Sequence, residues 1–197
     1  MTPIPILAMI SDGSWLLPAM LVAVPLFWII FTNNSLIGCR NRMRNAASGI
    51  DVQLKKRHDL IPNLVQTVCG YMQHEREVLE RVTQLRSEAG ARSVQDPARV
   101  ANEREIGSCL GVIRARAEAY PELKAGEHFT LLMRSLNEIE EQISASRRSY
   151  NAAVEQLNNK VESFPSNLVA GWFGFQLSAF FEAIESDRGV PDVRMTT

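Results

Sequence analysis

The chain has 197 residues, 46 % hydrophobic and 22 % charged, with a formal net charge of −1, so it holds one domain plus an extra segment. Near-zero net charge removes any whole-molecule electrostatic case for nucleic acid. The three cysteines, Cys39, Cys69 and Cys109, lie far apart, which argues against a disulfide framework and suits a reducing compartment.

Residues 1–14 form a short leading segment in which Asp12 is the only charge. Then WLLPAMLVAVPLFWIIF runs from Trp15 to Phe31 without a charge. At 1.5 Å per residue this is roughly 25 Å, near the lower limit for a spanning helix. The uncharged flank extends it, and a transmembrane helix is predicted over 15–37. Pro18 and Pro25 are tolerated in such helices, and Trp15 and Trp28 stand where interfacial anchors sit. A cleaved signal peptide needs a basic start and a small-residue cleavage site. The start MTPIPILAMI has no Lys or Arg, and FTNNSLIG is not an Ala-x-Ala pattern, so an uncleaved anchor is expected. Arg40, Arg42, Arg44, Lys55, Lys56 and Arg57 follow the span and no base precedes it. The positive-inside rule then puts the body, residues 38–170, in the cytoplasm and the N-terminus outside.

The body has helical periodicity. Ile50, Leu54, Ile61, Leu64, Val65, Val68, Met72, Leu79, Val82 and Leu85 recur at steps of three, four or seven, where strands would need two. Ile50 to Ile61 is eleven residues, close to three turns, so the stripe keeps its face across Pro62. The pattern predicts one helix from about Ser35 to Ala89, kinked at Pro62, with a fresh start at Asp59 as the alternative. Pro62 cannot donate to the carbonyl of His58, which frees one acceptor there. Gly90 suits the helix end, and Asp96-Pro97 is an N-cap followed by a first-turn proline. The next stripe is Val100, Ile106, Leu110, Ile113 and Ala117, weakened by Gly107 and Gly111. Pro121 takes another first-turn position.

From Phe129 the pattern is strongest. Phe129, Leu132, Leu136, Ile139, Ile143, Ser146, Tyr150, Ala153, Leu157, Lys160 and Phe164 form a heptad seam, ending before Pro165. Three long helices on short turns must run antiparallel to bury these stripes, so the fold class is all-α, with a transmembrane helix before an antiparallel bundle. The tail, residues 171–197, is aromatic-rich. It either caps the bundle or meets a membrane surface or partner through Trp172, Phe173, Phe175, Phe180 and Phe181.

The stretches RNRMRNAASGIDVQLKKRHDLIPNLVQTVCGYMQHERE and YPELKAGEHFTLLMRSLNEIEEQISASRRSYNAAVEQLNNKVESFPSNLVA resemble the LemA family of bacterial membrane proteins. They cover most of 40–170, in the family's order and spacing. The resemblance implies an N-terminal anchor in the bacterial inner membrane, a cytoplasmic antiparallel helical bundle and no known catalytic role. A magnetosome membrane protein is similar to this family, which implies membrane-organising work in one lineage. Gly49, Cys69 and Gly126 depart from the pattern, standing where a larger side chain, Lys and Asn are usual.

Local motifs for chemistry are absent. His74-Glu75 is followed by Arg76-Glu77-Val78, so there is no His-Glu-x-x-His. Lys55, Tyr71 and Ala125 stand three residues before His58, His74 and His128, so Glu-x-x-His is absent too. The histidines are expected at the surface or the core edge. No Cys-x-x-Cys, Gly-x-Ser-x-Gly or Gly-rich phosphate loop occurs. Cys69 and His74 are five residues apart and turn away from each other on a helix. No catalytic, cofactor-binding or metal residue is therefore assigned, and no cofactor is expected. Arg40, Arg42 and Arg44 are placed to set topology or meet anionic headgroups. Lys55, Lys56 and Arg57 are placed to pair with Glu138, Glu140 and Glu141. The partners expected are the lipid bilayer and protein partners the sequence does not name, with homo-oligomerisation open and no nucleic acid. The leading expectation is a non-enzymatic adaptor or scaffold. Its rivals are a membrane-organising oligomer, on the heptad seam and aromatic tail, and an enzyme whose site converges only in space.

Overall fold

The computed structural model describes residues 16–89 and 96–181. Trp15, the leading segment, Gly90 and the tail beyond Phe181 lie outside the described residues. Six α-helices are described: α1 (Leu16–Val68), α2 (Arg76–Ala89), α3 (Pro97–Ala117), α4 (Pro121–Ala125), α5 (Glu127–Glu162) and α6 (Ser166–Trp172), with a 3-10 turn at Gln73–Glu75. No strand occurs among the described residues. The chain divides into two compact units. The first holds residues 1–43 and 153–179, the second residues 44–152 and 180–197.

The helix expected to reach Ala89 instead ends at Val68. Gly70 follows, a poor helix former, and the amides of Tyr71 and Met72 both donate to the Val68 carbonyl, at 3.0 and 2.9 Å. The chain then doubles back. Arg86 Nε donates to the His58 carbonyl at 2.7 Å. His58 and Arg86 each lie fourteen residues from Met72, so α2 runs antiparallel along α1. The stripe concealed this turn because Met72 to Leu79 is seven residues, which keeps helical phase across the break.

The same contact resolves Pro62. Helix α1 passes through it unbroken. Proline leaves the His58 carbonyl without its intrahelical donor, and the Arg86 guanidinium supplies a replacement. Replacing Arg86 by Met is expected to cost about 1.5–3 kcal/mol in urea unfolding of the detergent-solubilised chain. In a Pro62→Ala background the cost should shrink, because alanine at that position restores the missing N–H. Equal costs in both backgrounds would contradict this role.

Helix α3 starts as the sequence implies. Asp96 Oδ1 accepts from the Ala98 amide at 2.9 Å, with Pro97 in the first turn. Arg81 forks onto Glu105 at 2.6 and 2.8 Å, and Asn102 reaches Glu88 at 3.3 Å, so α2 and α3 are antiparallel. Arg114 donates to Asn137, which sets α3 against α5 around the Pro121 to Gly126 turn. A Cβ at Gly126 would lie 3.1 Å from the Leu123 carbonyl oxygen, tight enough to explain a glycine between α4 and α5.

Ile61, Leu64, Leu85, Ile106, Ile113 and Leu136 are among the residues that fill the second unit's core. The first unit has its own core of Leu36, Cys39, Leu157, Val169 and Ala170, with Trp28, Ile29 and Met43 packed against it. The α5 seam is thus buried within one chain, and its heptad spacing carries no assembly signal. Two seam positions are corrected. Met133 is buried where Leu132 was expected, and Phe164 is 80 % exposed. Helix α5 ends at Glu162, so Phe164 leaves the helical register.

Candidate functional site

The most unusual chemistry lies inside the second unit. Arg57 is 1 % exposed and Glu103 3 %, both at positions where the stripe demands an apolar residue. Arg57 fits the step from Leu54 to Ile61, and Glu103 fits the step to Ile106 and Leu110. Arg57 Nη2 donates to the Glu103 carboxylate and, at 3.1 Å, to its main-chain carbonyl. Its Nη1 donates to Glu140 Oε2 at 2.8 Å. His58 Nε2 lies 2.9 Å from Glu103 Oε1. Arg99 approaches the same oxygen at 3.7 Å and pairs with Asp51 at 3.0 Å. Three helices, α1, α3 and α5, are cross-tied through one guanidinium and two carboxylates, Glu103 and Glu140.

Burial works against ionisation of Glu103, but the adjacent His58 ring and the Arg57 charge outweigh it, so its carboxyl titrates below the usual range. Such a group stays an anion across the physiological range. It is committed to its counter-ions and is no candidate proton donor near neutral pH. Arg147 sits close by, 5.1 Å over the Phe181 ring, and burial lowers its pKa. A cleft of about 550 Å³ opens beside this centre, lined by residues that include Glu103, Gly107, Gly111, Met133, Glu140 and Arg147. Burial pushes the Cys109 thiol up, away from thiolate reactivity. Among the described residues no group of three or more His, Cys, Asp or Glu converges as a metal-ligand set.

Sequence reasoning anticipated the pairing of Arg57 with Glu140, and the structure makes it. Lys55 and Lys56 are exposed instead. Glu103 and His58 were missed. Of the two places expected for the histidines, His58 takes the core edge, beside the charge centre, and His74 and His128 are exposed. The signal was available: a carboxylate standing in phase within an apolar stripe.

The segment after α6 is held by backbone recognition. In the first unit, the Asn158 side chain donates to the Ser178 carbonyl and accepts from its amide, both at 2.9 Å. In the second, Asn151 pairs in the same way with Phe181, at 3.0 and 2.7 Å. Phe181 is buried and stacks edge-on against Tyr150 at 6.2 Å. A carboxamide matches a peptide unit donor for acceptor, so these asparagines fix main chain without reading side chains.

At the other extreme, Met20, Leu21, Val22, Val24, Leu26 and Phe27 are all exposed on α1. The most apolar window of this helix has a mean hydropathy of 1.8, with 11 % of it buried. That is long and apolar enough to cross a membrane.

Comparison with known proteins agrees with this architecture. The sequence model of the LemA family matches residues 46–195. Protein LemA of Metamycoplasma hominis is 28 % identical over 170 residues, covering 85 % of this chain and 78 % of that one. Magnetosome protein MamQ 2 of Paramagnetospirillum magneticum is 22 % identical over 179 residues, covering 78 % and 66 %. Magnetosome protein MamQ of Magnetospirillum gryphiswaldense is 21 % identical over 159 residues, covering 68 % and 58 %.

Proposed function

The chain belongs to the LemA family, and on that premise we propose that it is a non-enzymatic, single-pass membrane-anchored adaptor or scaffold. One observation carries this reading. Helix α1 is continuous, with exposed apolar side chains from Met20 to Phe27 and at Ile30 and Phe31, and fully buried core residues from Leu36 onward. One helix thus serves as both apolar span and structural core. Trp28 and Ile29 belong to the first unit's packing, which supports an anchor that stays attached rather than a leader that is removed. Arg40, Arg42 and Arg44 directly after the span support a cytoplasmic body at the bacterial inner membrane, with the N-terminus outside. The Arg57–Glu103 centre, with its buried charges paired to one another and to Glu140 across the helices, supports a structural role for them rather than a catalytic one.

Proximity crosslinking in intact cells tests the adaptor reading. Photoreactive residues at Glu141 and Arg148, both exposed on α5, should capture the same one or two membrane or cytoplasmic proteins reproducibly. Adducts between copies of this chain alone would favour a membrane-organising oligomer.

A further inference from the structure

The apolar surface of the first unit does not end with the span. Phe164, Leu168, Trp172, Phe173 and Leu177 are all more than half exposed, Trp172 at 73 %. Leu168 and Trp172 are four residues apart and share one face of α6. The other face is spent on packing: Val169 and Ala170 are buried against Leu36, Cys39 and Leu157. The short helix is therefore apolar on both sides, one inward and one unpartnered. No residue from Ser163 to Phe181 carries a charge. Water-facing surfaces of soluble bundles do not concentrate aromatic side chains in this way.

What covers the patch follows from its position. The core that α6 joins includes Trp28 and Ile29, from the end of the apolar segment of α1. The patch thus belongs to the same packed unit as the span's exposed belt. Long basic side chains sit within that unit. Lys160 donates to Ser35 on α1, and the Arg40 guanidinium lies 5.1 Å over the Phe175 ring. Aromatic side chains beside bases with apolar stems suit the boundary between acyl chains and headgroups. Phe175 and Phe181 turn inward, so the outward set differs from the plain run of tail aromatics.

We propose that the outer face of α6, with Phe164, Leu168, Trp172, Phe173 and Leu177, is a second membrane contact that lies in the interfacial layer of the bilayer crossed by α1. This deepens the anchor reading and rests on it. The protein is then held by a span and by an interfacial foot buried about 5–10 Å at the headgroup boundary.

Depth-resolved tryptophan quenching tests this with the full chain in nanodiscs of brominated phosphatidylcholine. One variant keeps only Trp172 (W15F/W28F), and a control keeps only Trp28 (W15F/W172F). The expected result is blue-shifted Trp172 emission, quenched by bromines high on the acyl chains and protected from aqueous iodide, with Trp28 also quenched by lipid. Lipid quenching of Trp28 alone, with Trp172 open to iodide, overturns the foot and leaves the span intact. Quenching of neither overturns the anchor reading itself. A benzophenone residue at Trp172 in the otherwise unaltered chain provides a second readout. Lipid adducts support the foot, and adducts to protein alone overturn it.

Discussion

Replacing Arg57 by Met should destabilise the protein by about 3–5 kcal/mol, a fall in Tm of about 6–20 °C for a domain of this size. The cost arises from what remains. Glu103 stays at 3 % exposure, and it loses the guanidinium that neutralises it. His58 and Arg99 remain near one carboxylate oxygen, but the other is left without its donor. Loss of the Glu140 contact adds little, because that carboxylate is 43 % exposed and water replaces its partner. Replacing Glu103 by Met in the Arg57→Met background removes the orphaned charge. The double variant should then be more stable than the sum of the two single losses predicts, by about 2 kcal/mol. Additive losses in the thermal unfolding of the detergent-solubilised chain would show that the two side chains do not depend on each other.

The same carboxylate gives a signed pH dependence. Its folded pKa lies below its ordinary value of 4.5. Its contribution is therefore fully present above that ordinary value and is lost as pH falls through the lowered folded one. The unaltered protein should lose stability on acidification in this window. Glu103→Gln should flatten the acid limb.

How far the sequence foretold this architecture depends on what each pattern physically encodes. Periodicity encodes burial, so most of the stripes of α1, α3 and α5 were legible, from Ile50 and Leu54 to Ile139 and Ile143, with Leu132 and Phe164 the exceptions on α5's seam. Caps encode chain direction, so the starts at Pro97 and Pro121 were legible too. The hairpin at Gly70 was not, because two helices packed on one core can share a phase, and contacts such as Arg86 to His58, which separate a hairpin from a rod, are not local in sequence. The charge centre was half legible. Opposite charges on two helices suggested Arg57 with Glu140, but the closer partner, Glu103, sits within an apolar stripe and was passed over. The asparagine clamps left no local trace, since Asn151 and Asn158 resemble any polar residues on the outer face of a helix.

Two arginines in the apolar stretch of α1 should abolish stable membrane integration. Val22 and Leu26 are four residues apart on one exposed face, so Val22→Arg and Leu26→Arg fall together. Each arginine near the middle of a span opposes insertion by about 2.5–3.5 kcal/mol, roughly 5–7 kcal/mol for the pair. The unaltered chain should remain in the membrane pellet after alkaline carbonate extraction, and the double variant should not. Val52→Arg is the matched control, because Val52 is 53 % exposed beyond the span and its charge faces water. Its partition should not change. The three arginines after the span make a second part of the same prediction. With Arg40, Arg42 and Arg44 intact, a protease added to spheroplasts should spare a C-terminal tag, and reversing those charges should weaken that protection. If the double variant still resists carbonate, α1 is not the element that integrates the protein. If it binds membranes but is stripped by carbonate, an interfacial contact persists without the span, which is the behaviour expected of a foot formed by α6.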